Sequence, residues 1–416
     1  MKEMLTKMGE MAKRAEKVLA CSSGEAKNKA LQTVAEALIE NSELIIEKNK
    51  IDLENAKQNG LPKAMLDRLS LNEDRVKGMA DGIIEIVAAE DPVGKVKSGS
   101  IRPNGLRIEK ITVPLGVIAV IFEARPNVTA DAAALCLKAG NVVILRGGKE
   151  AINSNMVIAE TMRNAIEKAG LPKDCIQLVS DTSRESANML MKMNDYVDVL
   201  IPRGGAGLIK ACVENSTVPV IETGSGNCHI YVDATADIDM ATDIVFNAKT
   251  SRPSVCNACE SLLLHKDIAE MALLAIKAKL DEENVEIRGD ESVCAILPDA
   301  LKADDSDWDR EYLDYTIAVK TVNNIDEAIE HISEHGTGHS ECIITSDYTA
   351  AQCFLMRIDA AAVYVNASTR FTDGGVFGYG AEIGISTQKL HARGPLGLDS
   401  LTSEKYIVYG SGQVRQ

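Results

Sequence analysis

The amino-acid order predicts an α/β protein with two parallel-sheet domains and a small separate β element. Three observations carry this. Short apolar runs alternate with helix-like segments over 113–221, and a second alternating series runs over 229–366. Two extended stretches, one around Asn104-Gly105 and one at 405–409, belong to neither series. Buried strands alternating with helices imply parallel sheets covered on both faces, so both series read as Rossmann-like. The expected division is one α/β domain over 1–99 and 115–224, a second over 225–398, and the small β element over 100–114 and 399–416.

The first ninety residues are helical in period. Leu5, Met8, Met11, Ala12, Ala15, Val18 and Leu19 recur at helical spacing and predict one apolar face. Helical patterns continue over 24–59 and 72–89. Residues 92–105 change character, and Asn104-Gly105 between short alternating runs signals a hairpin turn. Runs 116–122, 141–145, 176–180, 197–201 and 218–221 then predict buried strands, with helices over 131–138, 151–169, 185–193 and 206–214. The second series comprises 230–232, 270–280, 317–322, 325–332, 342–345 and 362–366, and a crevice is expected between the two α/β units. The terminal run 405–409 predicts a strand that pairs with another element or another subunit, since an unpaired edge is a liability.

A chain of 416 residues can bury two cores of ordinary size. With 45% hydrophobic and 25% charged residues it has the composition of a soluble globular protein. The net charge of -16 argues against nucleic acid and anionic membrane as partners, while leaving room for a local basic pocket and an anionic small molecule. No run is long and apolar enough to span a bilayer, and the first residues lack a secretory apolar stretch. The 10 cysteines are scattered through apolar segments, which predicts reduced thiols and a cytoplasmic location.

Cys256 is the strongest candidate for chemistry. It stands in Arg252-Pro253-Ser254-Val255-Cys256-Asn257, a polar stretch between a helix-like segment and an apolar run, with a cation nearby. A thiolate attacks carbonyl carbon well, and a cationic or helix N-terminal setting favours it. Glycine turns follow three predicted strands: Arg146-Gly147-Gly148-Lys149, Arg203-Gly204-Gly205-Ala206-Gly207 and Glu222-Thr223-Gly224-Ser225-Gly226. Each suits either a tight strand-to-helix connection or the approach of a dinucleotide phosphate to backbone N–H groups. Cys256 and Cys259 form a C-x-x-C that also fits a redox dithiol or half a zinc site. The chain offers no second such pair, so no metal is expected, and Cys259 is expected in the core. His331, His335 and His339 share a four-residue spacing, but Gly336 and Gly338 predict that the helix stops before His339. Asn127 follows the strong strand 116–122 and Glu123-Ala124-Arg125-Pro126. It is either a turn residue or an amide donor to an oxyanion.

Several segments together resemble the aldehyde dehydrogenase superfamily, and within it the branch that reduces an acyl phosphate. They are Phe122-Glu123-Ala124-Arg125-Pro126-Asn127-Val128-Thr129, the stretch 252–257, Asn366-Ala367-Ser368-Thr369-Arg370-Phe371, Gly380-Ala381-Glu382-Ile383-Gly384-Ile385-Ser386-Thr387 and His391-Ala392-Arg393-Gly394-Pro395. The resemblance covers essentially the whole chain and implies an aldehyde-dehydrogenase-like fold, with a cofactor-binding domain over 1–99 and 115–224, a catalytic domain over 225–398 and an oligomerisation element over 100–114 and 399–416. It implies Cys256 as the catalytic thiol and Asn127 as the oxyanion amide. Arg146, Lys149, Arg203, Gly204, Gly205, Gly207, Glu222, Gly224 and Glu311 are then expected to bind the cofactor, with Glu311 on the nicotinamide ribose. Arg125, Arg252, Ser368, Thr369 and Arg370 are expected at the substrate. The implied reaction is NADPH-dependent reduction of L-glutamyl 5-phosphate through a Cys256 thioester. A homo-oligomer, and contact with the glutamate 5-kinase that makes the labile acyl phosphate, are further expectations. One departure stands out: the superfamily's Glu-Leu-Gly-Gly-Lys is here Glu222-Thr223-Gly224-Ser225-Gly226, without the lysine. A hydrolytic aldehyde dehydrogenase, with Glu222 activating water, is the alternative.

Overall fold

The computed structural model describes residues 1–415 and divides into two compact units. The first comprises 1–223, 378–384 and 396–416, and the second 224–377 and 385–395.

In the first unit, helices precede the sheet as the periodicity predicts. The opening helix Lys2–Leu19 buries Leu5, Gly9, Ala12, Ala15 and Leu19, whereas Val18 points outward. The predicted stretch 24–59 is two helices, Gly24–Glu40 and Ser42–Gln58, interrupted at Asn41. Glu73–Ala88 is capped by Asn72, whose side chain accepts the Arg75 N–H. The unit's four-stranded parallel sheet runs Ile176–Leu178, Val142–Gly147, Val117–Phe122, Val199–Arg203 in spatial order. All six residues of Val117–Phe122 are buried, as a central parallel strand requires. The predicted strand at 218–221 shrinks to a single bridge, Leu200 to Val220, because Pro219 has no N–H to extend a ladder. A separate antiparallel sheet joins Val96–Ile101, Arg107–Pro114 and Thr402–Tyr409. Its hairpin turns at Gly105, whose φ of +87° a side chain would oppose. The C-terminal strand therefore finds its partner within the chain.

The second unit holds a seven-stranded parallel sheet. Its order is Leu301–Lys302, Glu286–Gly289, Thr316–Val322, Cys259–His265, Cys228–Val232, Ser340–Ile344, Ala362–Val365. Alternation divides the strands between two cores. Ile230, Val232, Leu262 and Leu264 meet helices Ile238–Thr250 and Ala269–Leu280 on one face. Tyr231, Leu263 and Ile343 meet Ile325–His335 and Tyr348–Arg357 on the other. The helix carrying His331 ends at His335, and His339 precedes the next strand, as expected.

Candidate active site

Each unit contributes one cluster of functional side chains. In the first, chain order proceeds outward from Val117–Phe122 on one side of the sheet and returns on the other with Val199–Arg203. The carboxyl ends of these two strands flank the reversal, where open parallel sheets bind their ligands. The two segments that emerge there are 123–127 and 203–207.

Segment 123–127 is strained and held by carboxylates. Ala124 has φ of +35°, an uncommon value for a residue with a side chain. Its N–H donates to Glu150 Oε1 at 3.0 Å. Glu123 reaches the opposite segment, where its Oε2 accepts the Gly205 N–H at 2.9 Å. A side chain at Gly204 would collide with that same carboxylate. Asn127 is the first residue of helix Asn127–Lys138, which begins four residues earlier than the expected 131. Its Nδ2 donates to Asp131 Oδ2 at 2.9 Å. Burial raises the Asp131 carboxyl to about 6, against the opposing effects of the Asn127 hydrogen bond and the Arg203 charge. Arg125 is half-buried two residues before the amide.

The expected cofactor residues of this unit differ in character. Lys149 and Gly207 are exposed and Arg203 is half-buried, so cations and an open turn stand beside the sheet's carboxyl edge. A Cβ at Gly207 would meet nothing within 4 Å. This donor set fits a dinucleotide pyrophosphate or a ribose phosphate. Arg146 instead ties down a loop, donating to the carbonyls of Thr182 at 2.6 Å and Ser183 at 2.8 Å. Burial lowers its pKa, with Glu150, Asp181 and Glu123 acting the other way. Glu222 is half-buried at the end of the unit.

In the second unit, Cys256 lies in the connection between helix Ile238–Thr250 and strand Cys259–His265. It is half-buried, while Cys259 is fully buried and its thiol pKa is raised by that burial. Among the described residues every cysteine is a thiol outside any disulfide. No group of three or more His, Cys, Asp or Glu converges there as metal ligands would. A strand rather than a helix follows Cys256. Arg370 is half-buried, and its pKa is lowered by burial and then by the like charge of Arg252, while Cys256 acts in the opposite direction. Arg370 thus brings one guanidinium within electrostatic reach of the thiol, and the exposed Arg252 brings a second within reach of Arg370, a pair of charges suited to an anion.

The turn is fixed from three sides. Behind it, Cys228 Sγ donates to the Cys256 carbonyl at 3.2 Å. Gly226 packs against the same carbonyl so closely that a Cβ would overlap it. Glu311 Oε1 accepts the Gly226 N–H at 2.9 Å, placing the expected ribose-binding carboxylate on the glycine that supports the thiol. In front, Asn257 Nδ2 donates to the carbonyls of Arg370 at 3.2 Å and Thr372 at 2.9 Å, and its Oδ1 accepts from Arg370 Nη1. Arg370 Nε also donates to Ser251 Oγ at 3.0 Å. Thr369 is fully buried, and its hydroxyl donates to the Asn257 carbonyl at 2.7 Å. Ser368 Oγ accepts the Arg370 N–H at 3.3 Å. Of the expected 368–370 trio, then, Arg370 presents a charge beside the thiol while Ser368 and Thr369 brace its loop. Gly224, half-buried, donates its N–H to Ile385 O at 2.9 Å.

Sequence reasoning missed Asp131, Glu123, Glu150 and Asn257. Only Asp131 carried a readable signal: a carboxylate four residues after an amide, the spacing at which helix neighbours meet.

Comparison with known proteins adds to this geometry. The pattern of the aldehyde dehydrogenase family matches residues 2–295. A Clostridium botulinum protein named gamma-glutamyl phosphate reductase is 61% identical over 415 residues, 100% of both chains. One of the same name from Halothermothrix orenii is 58% identical over 415 residues, 100% of this chain and 99% of that one. The crystal structure of gamma-glutamyl phosphate reductase from Thermotoga maritima is 47% identical, with a TM-score of 0.96 over 99% of this chain and 100% of that one.

Proposed function

We propose that this chain, which belongs to the aldehyde dehydrogenase family and is an oxidoreductase of that type, reduces L-glutamyl 5-phosphate to L-glutamate 5-semialdehyde and phosphate in proline biosynthesis, with NADPH as reductant. The observation that carries the reading is Arg370, held to Asn257 next to the thiol and within electrostatic reach of both Cys256 and Arg252. An acyl phosphate brings its own anionic leaving group, and a hydrolytic enzyme acting on a neutral aldehyde has no use for two guanidinium groups there. The relatives' shared name supports the same substrate.

In this mechanism the Cys256 thiolate attacks the acyl carbon, and the carbon–oxygen bond to phosphate breaks. Arg252 and Arg370 take the charge of the departing phosphate. The oxyanion of each tetrahedral state accepts hydrogen bonds from the Asn127 amide and the Cys256 backbone N–H, leaving a thioester after the first. Lys149, Arg203 and the 203–207 turn hold the phosphates of the cofactor, Glu311 its nicotinamide ribose, and Arg125 supports the substrate side of the Asn127 loop. When bound, the nicotinamide supplies the hydride that converts the thioester to a thiohemiacetal. Collapse of the thiohemiacetal returns the thiolate and releases the aldehyde. Glu222 orients ligands rather than activating water, since a reductase of an acyl phosphate gains nothing from hydrolysing its thioester.

We further propose a homo-oligomer assembled through the three-stranded antiparallel sheet. One of its faces exposes Tyr406 at 67% and Val408 at 53%, two residues apart on the C-terminal strand, an apolar surface for a second copy.

The function is tested in the reverse direction. NADP+ reduction by the semialdehyde is expected to require phosphate for sustained turnover, and Cys256→Ala is expected to abolish it while leaving folding and cofactor binding intact. Sustained turnover without phosphate would instead favour the hydrolytic alternative, and turnover by the alanine variant would rule out the thiol mechanism.

A further inference from the structure

We propose that Asp131 is a positioning residue for the reaction, fixing which end of the Asn127 side-chain amide faces the reacting oxygen. The inference rests on the oxyanion role of Asn127 proposed above. A side-chain amide has a donor end and an acceptor end of nearly the same shape, and rotation by half a turn exchanges them. Only the nitrogen end can stabilise an oxyanion; the oxygen end repels it. Something must therefore select the orientation.

Asp131 makes that selection. Asn127 opens the helix Asn127–Lys138, so Asp131 stands one turn further along on the same face. Asn127 Nδ2 lies 2.9 Å from Asp131 Oδ2. An ionised carboxylate only accepts hydrogen bonds, so it is satisfied by the nitrogen end and unsatisfied by the oxygen end. One amide N–H then points to Asp131, and the other remains for the substrate. Arg203, the charged group acting on Asp131, favours the ionised form on which this logic depends. Burial holds the carboxyl near 6, which still leaves it ionised above neutral pH. The arrangement also polarises the amide, strengthening its second N–H as a donor.

The test is a double-mutant cycle read by phosphate-dependent NADP+ reduction above pH 7.5. Asp131→Asn keeps the shape but offers Asn127 either a donor or an acceptor, which removes the selection. In the otherwise unchanged enzyme we expect kcat to fall about tenfold or more, on the scale of losing part of an oxyanion donor. KM for semialdehyde and for phosphate should stay within about twofold. In the Asn127→Ala background, itself strongly impaired, the same substitution should change kcat less than about twofold, because there is no amide left to orient. An equal fall in both backgrounds, or none in either, overturns the role of Asp131 while leaving the oxyanion role of Asn127 standing. Full activity of Asn127→Ala alone overturns both. Should Asp131→Asn fold poorly by thermal unfolding, Asp131→Ala removes the acceptor outright and is read in the same cycle.

Discussion

At the scale of single residues, Asn257 explains how a thiol on a connecting segment is held without a helix behind it. Its side chain engages the carbonyls of Arg370 and Thr372 and the Arg370 guanidinium, and its own carbonyl takes the Thr369 hydroxyl. The residue after the proposed nucleophile thus fastens Arg370, the proposed phosphate-binding arginine, to it. Arg370→Gln is accordingly expected to raise KM for phosphate about tenfold or more in the reverse assay, the scale of a lost charge-assisted contact, with KM for NADP+ little changed. Equal effects on both constants would place Arg370 in a general structural role. Cys256 stood out as a candidate from its residue type and neighbourhood, and Arg370 from the resemblance of its loop. The bracing roles of Thr369 and Ser368 were not legible, because burial of a short hydroxyl depends on what the fold brings against it. The four-residue spacing of Asn127 and Asp131 was readable, but the pair was passed over because the apolar pattern starts the helix at 131 and leaves Asn127 outside it.

At the scale of elements, the helix before the nucleophile turn and the strand after it are joined by a buried ion pair. Lys249 Nζ and Glu260 Oε2 are 2.6 Å apart, and both side chains are fully buried. Glu260 Oε1 also accepts the N–H of Leu313, a residue at φ of +56° two positions after Glu311. The pair therefore anchors both the thiol's strand and the segment carrying the expected ribose carboxylate. Burial raises the Glu260 carboxyl to about 7, against the lowering effect of Lys249. A carboxyl raised in the fold above its unfolded value contributes stability that is full below about 4.5 and lost as pH rises through 7. Removing the lysine strips away the opposing charge and pushes that carboxyl higher still. Lys249→Met is expected to destabilise by roughly 3–5 kcal/mol at pH 8 and by clearly less at pH 6, measured by urea unfolding. An equal loss at both values would mean that Glu260 does not titrate in this range. None of this was readable from the sequence, where Lys249 and Glu260 lie eleven residues apart with no periodic relation. The strands themselves were legible because fully buried parallel strands are continuous apolar runs. The exception at 218–221 is a run whose proline cannot join a ladder.

For the molecule as a whole, both α/β series became parallel sheets, each with its functional segments at strand ends or in the connections between elements. The alternation of apolar runs and helices was enough to predict this. It was not enough to predict that 378–384 and 396–416 return to the first unit, because such returns are set by long-range packing rather than by local period. No described helix is long and apolar enough to cross a membrane. Against the net charge of -16, Arg370 and Arg252 supply local positive charge near the thiol, where the proposed anionic substrate reacts. The central claim is that the acyl group passes through Cys256 on its way between phosphate and aldehyde. It is tested most directly by intact and peptide mass spectrometry of the enzyme mixed with semialdehyde and NADP+ in the absence of phosphate. The predicted result is a burst of one NADPH per subunit and a glutamyl thioester on the peptide containing Cys256, discharged by adding phosphate. Steady NADPH formation without phosphate, or a burst with no acyl group on Cys256, would contradict it.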